Sequence, residues 1–175
     1  MKNNKRLPSQ SGRPDDFQTP AIALLPLTKY IPKSRVIWEC ASGKGNLVRG
    51  FSEMGYCVVG SDILSGQSFL SYEPEHYDVI VTNPPFSLKQ QFLERAYSIG
   101  KPFAFLLPLT TFETRGRQGL FKKYGVEVIL FDRRINFETP SGVGSGSWFA
   151  TAWFTHGLNI GNQLTFESLG QSAKS

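Results

Sequence analysis

The chain is poor in the residues that build covalent or metal scaffolds. Its 175 residues include two cysteines, Cys40 and Cys57, and two histidines, His76 and His156. Two cysteines make no disulfide framework, and both lie in apolar runs, so buried reduced thiols are expected. The histidines lie far apart without ligand-like spacing, so no metal site is expected. No apolar run approaches the ~20 residues that cross a bilayer, which argues against a membrane partner. The basic opening, MKNNKRLPSQSGRP, lacks the apolar core of a secretory signal, and a cytoplasmic protein is expected. A phosphate loop is missing too, because no Gly-Lys-Ser/Thr occurs.

What is present fits one domain with an ordinary core. Residues 1–15 read as a flexible basic arm, 16–157 as the folded domain, and 158–175 as a tail that pairs at an edge or stays loose. Strand-like runs fall at 35–40, 57–62, 77–83, 102–108, 126–132 and 146–157. Helical patterns fall at 46–55, 88–100 and 113–125. A short helix kinked by Pro26 is expected after Thr19 and Pro20, an N-cap followed by a first-turn proline. This alternation predicts an α/β fold with a mostly parallel sheet covered on both faces. Between the last two runs lies a glycine-rich segment without helical period, which predicts an antiparallel strand at the C-terminal end of the sheet. The net charge of +5 favours a polyanionic partner.

In such sheets, ligands bind beyond the carboxyl ends of the strands. After the first strand comes ECASGKG, in which Gly43 and Gly45 permit a tight turn and a close approach. A dinucleotide fingerprint would place a third glycine where Val48 stands. Glu39 at the strand end repels phosphate and attracts a cation or ammonium. Asp62, after the second strand, suits a ribose hydroxyl pair. After the third strand comes Asn83-Pro84-Pro85-Phe86. Asn83 offers a carbonyl and an amide, the prolines stiffen the turn, and Phe86 offers a stacking face. Together they match a planar exocyclic amine such as the N6 group of adenine.

These stretches resemble the motifs of S-adenosylmethionine-dependent N6-adenine DNA methyltransferases, the small phage type in particular. NPPF resembles their [D/N/S]-P-P-[Y/F/W] motif, ECASGKG their acidic glycine loop, SDI their ribose-binding acid, and DDFQTP their upstream cap. The resemblance runs over about residues 15–155. It implies a Rossmann-like class I methyltransferase sheet, with S-adenosylmethionine as the cofactor. Phe17, Thr19 and Pro20 would line the methionine end. Glu39 and Gly43 would lie near its ammonium, with Ala41 and Gly45 shaping the loop. Asp62 would hold the ribose and Ile63 would pack on the cofactor's adenine. Where relatives carry an acidic residue and an aromatic for that adenine, this chain has Ser68 and Phe69. Asn83, Pro84, Pro85 and Phe86 would be the catalytic set, and the acceptor a base flipped from DNA.

The chain has no room for the recognition region of sequence-reading relatives. Arg115, Arg117, Lys122, Lys123, Arg133, Arg134 and the loop 136–147 are the candidate nucleic-acid contacts. Phosphate contacts of this kind give affinity without sequence information. A relaxed preference is therefore expected, or specificity supplied by oligomerisation or a partner; for a phage-encoded protein the compartment would be the host cytoplasm. RNA amino-methyltransferases and release-factor glutamine methyltransferases share the NPP[Y/F] motif, the latter usually with an N-terminal helical domain that is missing here. A non-catalytic nucleic-acid-binding module is the reading from another class.

Overall fold

A computed structural model describes residues 18–139, 142–143 and 149–170. Phe17, the expected basic arm and part of the glycine-rich segment lie outside the described residues. Seven strands form one sheet: β1 (Val36–Glu39), β2 (Cys57–Gly60), β3 (Val79–Thr82), β4 (Phe103–Pro108), β5 (Glu127–Phe131), β8 (Thr151–His156) and β9 (Leu164–Glu167). Two-residue strands β6 (Glu138–Thr139) and β7 (Gly142–Val143) pair separately. The sheet order is β2-β1-β3-β4-β8-β5-β9. Within this sheet every pairing is parallel except those of β8, which runs antiparallel to both β4 and β5.

The α/β sheet matches the expected class, mostly parallel with one antiparallel strand near the C-terminus. The difference lies in where that strand sits. β8 is inserted between β4 and β5, so both its faces are covered; five of its six residues are buried, Thr151 and Thr155 among them. The described part of the expected tail supplies β9, which extends the sheet beyond β5.

Period-2 alternation sorts the side chains onto two faces. On β4, Phe103, Phe105 and Leu107 pack towards α2 (Lys89–Ile99) and α3 (Arg115–Tyr124). Ala104 and Leu106 pack on the opposite face, towards α1 (Asn46–Glu53) and the first helical turns. Helix α1 buries Leu47, Gly50 and Phe51, one i, i+3, i+4 stripe. The segment Ala21–Lys29 is a 3-10 helix with Pro26 inside it. Proline removes an i→i−4 bond and crowds the preceding turn, which disfavours α-helix there. This segment is tied to the sheet by the Trp153 indole N–H, which donates to the Ala23 carbonyl at 2.8 Å.

Both cysteines were expected to be buried, and one is not. Cys40 is buried, but Cys57 is exposed, because β2 is an edge strand with no neighbour beyond it. None of the described helices is long and apolar enough to cross a membrane.

Candidate functional site

The carboxyl ends of β1, β2 and β3 lie side by side, and the loops that follow them are stitched together. The Ser61 amide donates to the Glu39 carbonyl at 2.9 Å, and the Ser42 amide to the Ser61 carbonyl at 3.0 Å. The Trp38 indole fixes the Ser61 hydroxyl at 2.8 Å. Gly43 and Gly45 have φ of 49° and 82°, the left-handed region that glycine enters without a Cβ penalty. That bend aims the Gly43 amide at Asp62 Oδ2, 2.8 Å away, while Oδ1 accepts from the Leu64 amide at 2.9 Å. Asp62 therefore locks the glycine loop to the end of β2 and caps the turn after it.

Val48, where a dinucleotide fingerprint would have glycine, packs close to Gly60. A Cβ on Gly60 would come within 3.2 Å of the Val48 side chain. The close approach of helix and strand is thus permitted by a glycine on the strand. Gly50 plays the same part towards Leu24, where a Cβ would sit at 2.8 Å.

Glu39 is 2% exposed. Its Oε1 accepts from the Ala41 amide at 3.0 Å and from the Thr82 hydroxyl. Burial pushes its carboxyl up to about 7, against the pull of the Thr82 and Ala41 bonds and with a smaller upward push from Asp62. None of those partners is a cation. A buried acid without a counter-charge strongly favours a cationic ligand.

Thr19, Glu39, Ala41, Gly43 and Asn83 line one cleft together. The structure thus brings together residues from three of the four motifs found in the sequence. The Thr19 hydroxyl is buried and has no hydrogen-bond partner among the described residues, so a ligand acceptor or donor there would satisfy it. Sequence reasoning missed Gln18, Ser42, Asn46 and Leu47, which complete the lining. Asn46 opens α1 directly after the glycine loop, and that position was its only signal. It also missed Thr82, which reads in the sequence as one more β-branched strand residue.

The neighbouring expected residues divide. Ile63 is 60% exposed beside Asp62 and open to an apolar ring. Ser68 is half-buried, and its hydroxyl accepts from the Leu70 amide at 3.3 Å. Phe69 is placed in the core instead, 2% exposed, against Trp38 and Phe92 with ring centroids 5.3 and 4.7 Å away. Pro20 is half-buried where the first 3-10 turn begins, and Gly45 is the residue before α1.

After Asn83, Pro84 is buried and the Pro85 carbonyl accepts from the Leu88 amide at 2.9 Å. This closes a short turn over Phe86–Leu88. Phe86 is half-buried, and its ring meets Phe149 edge-on at 5.7 Å. Phe149 stacks on Phe137 at 6.2 Å. The described ends of the glycine-rich segment therefore bring two rings to the mouth of the site.

The basic residues also divide. Arg115 is exposed at the start of α3, and Arg133 and Arg134 are exposed just after β5. All three follow parallel strands and so share the cleft's end of the sheet. Lys122 and Lys123 are exposed at the far end of α3, about 10 Å along its axis from Arg115. Arg117 turns inward: it is 8% exposed and its Nε donates to the Thr111 carbonyl at 2.6 Å. Its charge serves the 3-10 turn Leu109–Glu113 and faces away from solvent.

No protein-family model and no curated protein sequence matches this chain. Solved structures do match, at low identity. A candidate RNA methyltransferase from Pyrococcus horikoshii aligns with a TM-score of 0.54 and 14% identity over 77% of this chain and 79% of its own. The methyltransferase subunit of a type I restriction-modification system from Streptococcus thermophilus aligns with a TM-score of 0.50 and 18% identity. That match covers 85% of this chain and 44% of the subunit, so this chain spans less than half of it. A dimethyladenosine transferase from Plasmodium falciparum aligns with a TM-score of 0.50 and 12% identity, over 79% of this chain and 62% of its own. The likeness is one of fold: the chain is built like these methyltransferases.

Proposed function

We propose that this chain is an S-adenosylmethionine-dependent methyltransferase acting on the N6 amine of adenine in DNA, with a relaxed sequence preference. The observation that carries this reading is the single cleft in which buried Glu39, the Gly43 loop and Asn83 converge. When bound, S-adenosylmethionine supplies an electrophilic methyl group and a cationic amino-acid end. Glu39 and the Thr19 hydroxyl suit that amino-acid end, since one is a buried acid and the other a buried group in need of a partner. Asp62, at the end of β2, suits the ribose hydroxyls, and exposed Ile63 suits an adenine ring.

The amine lone pair of adenine is delocalised into its ring, which makes it a poor nucleophile. Asn83 and the Pro84 carbonyl accept hydrogen bonds from the amine, favour a pyramidal nitrogen and stabilise the positive charge that grows on it. Fixed acceptors need no reorganisation as that charge develops. Positioning supplies much of the remaining acceleration. Phe86 stacks on the flipped base, and Arg115, Arg133 and Arg134 meet phosphates.

DNA is favoured as acceptor by the motif order, upstream cap then glycine loop then NPPF. Incubation with methyl-labelled cofactor and, in parallel, duplex DNA, single-stranded DNA, RNA and a release factor tests the reading. Label is expected in N6-methyladenine of DNA. Label confined to RNA or protein overturns the DNA assignment. Cofactor binding without transfer to any acceptor supports a binding module instead.

A further inference from the structure

Thr82 belongs to none of the motifs, yet it lies between the two halves of the cleft. It is the last residue of β3, fully buried, and it directly precedes Asn83. Its hydroxyl donates to Glu39 Oε1 across the strand pair. The Ala41 amide also lands on Oε1. Two donors on one oxygen orient the carboxylate and direct Oε2 away from them.

We propose that Thr82 is a positioning residue that couples the two halves of the site: its hydroxyl favours the carboxylate form of Glu39 and orients it towards the cationic end of the ligand, from the backbone that also places Asn83. The inference rests on the S-adenosylmethionine reading above. The other titratable groups facing Glu39 are Asp62, from the end of β2, and Cys40 on its own chain. Arg95 on α2 acts on Cys40. The Thr82 and Ala41 donors oppose the burial that favours the neutral acid. Removing the hydroxyl therefore leaves Glu39 protonated over a wider pH range.

The test uses Thr82→Val, which keeps the shape and removes the donor, and Thr82→Ser, which keeps the donor. Two quantities are read: the titration midpoint of Glu39 in the free protein, by carbon NMR of labelled glutamate, and the affinity for S-adenosylhomocysteine between pH 6 and 8.5. Wild-type affinity should rise with pH as Glu39 ionises. Thr82→Val should move the midpoint and that rise up by about one pH unit, a loss of affinity of roughly fivefold at pH 7 that shrinks towards pH 8.5. Thr82→Ser should follow the wild type in both. A Thr82→Val variant with an unmoved Glu39 midpoint overturns the inference, and so does an equal loss of affinity at every pH. A midpoint that moves as stated, in a wild-type protein that binds no S-adenosylhomocysteine at any pH, overturns the cofactor reading and with it the role of Thr82 towards the ligand.

Discussion

Two cavities open at opposite ends of the same parallel strands, and the larger one is the less promising. The cavity at the amino ends holds about 180 Å3 between residues such as Tyr30, Arg35, Asp78, Pro102 and Leu158. The cleft at the carboxyl ends is about 30 Å3 and is bounded by Gln18, where the described chain begins. Each contains an acid, and the two acids differ. Asp78 accepts from the Val36 amide at 2.7 Å and lies 3.7 Å from the Arg35 guanidinium, so its charge is already answered. Glu39 is buried, and the groups acting on it are two neutral donors and a second acid. A satisfied acid caps a strand, whereas an unanswered buried acid calls for a positively charged partner. Charge left uncompensated locates the site better than volume does.

Asn83→Ala gives the largest expected effect that would break this contrast. Loss of the amine acceptor should cut kcat by about 10²–10³-fold, by analogy with removal of a preorganised donor at a developing charge. Cofactor affinity should stay within about threefold, because Asn83 acts on the acceptor amine. Steady-state kinetics beside calorimetry separates the two, and near-normal turnover would defeat the proposed mechanism.

Glu39→Gln comes next and has two faces. Cofactor affinity at pH 8 should fall roughly tenfold or more, since a charged hydrogen bond is worth about 1.5–3 kcal/mol. Stability should move the other way. The Glu39 carboxyl is raised from 4.5 to about 7 in the folded protein. Between those values the folded state binds more protons than the unfolded one, so wild-type stability falls as pH rises through that window. Glutamine has no such titration. Urea melts of the variant should lack this slope, gaining on the order of 2–3 kcal/mol over wild type above pH 7. A variant as pH-dependent as the wild type would place the slope elsewhere.

How much of this was legible in the sequence depended on whether a residue's role is local. The glycine loop, Asp62 and NPPF each follow a strand, and the sheet rule places strand ends together. Their convergence with Thr19 needed only the order of motifs. Phe69 was misplaced because an aromatic in a loop reads the same whether it faces a ligand or, as here, Trp38 and Phe92. Thr82 was invisible because its partner, Glu39, is 43 residues away and meets it only across the pairing of β1 with β3. The interior position of β8 was likewise a matter of long-range pairing, which periodicity does not encode. Cys57 failed for the same reason: an apolar run does not say which strand is the edge.

The smallest expected effect concerns the basic surface, which divides along α3. Arg115→Ala combined with Arg134→Ala should weaken DNA binding several-fold and reduce the slope of log affinity against log salt by about one per lost phosphate contact. Lys122→Ala combined with Lys123→Ala, at the opposite end of the helix, should leave both nearly unchanged. Equal effects from the two pairs, measured by fluorescence anisotropy over a salt series, would show that the polymer does not lie across the cleft end of the sheet.

The most direct test of the central claim is a crystal structure of the protein with S-adenosylhomocysteine. The ligand should lie at the carboxyl ends of β1 and β2, with its amino group against Glu39 and its ribose against Asp62. Density for it in the cavity between Arg35 and Asp78, or a ligand whose amino group lies away from Glu39, would show that the buried acid does not mark the cofactor site.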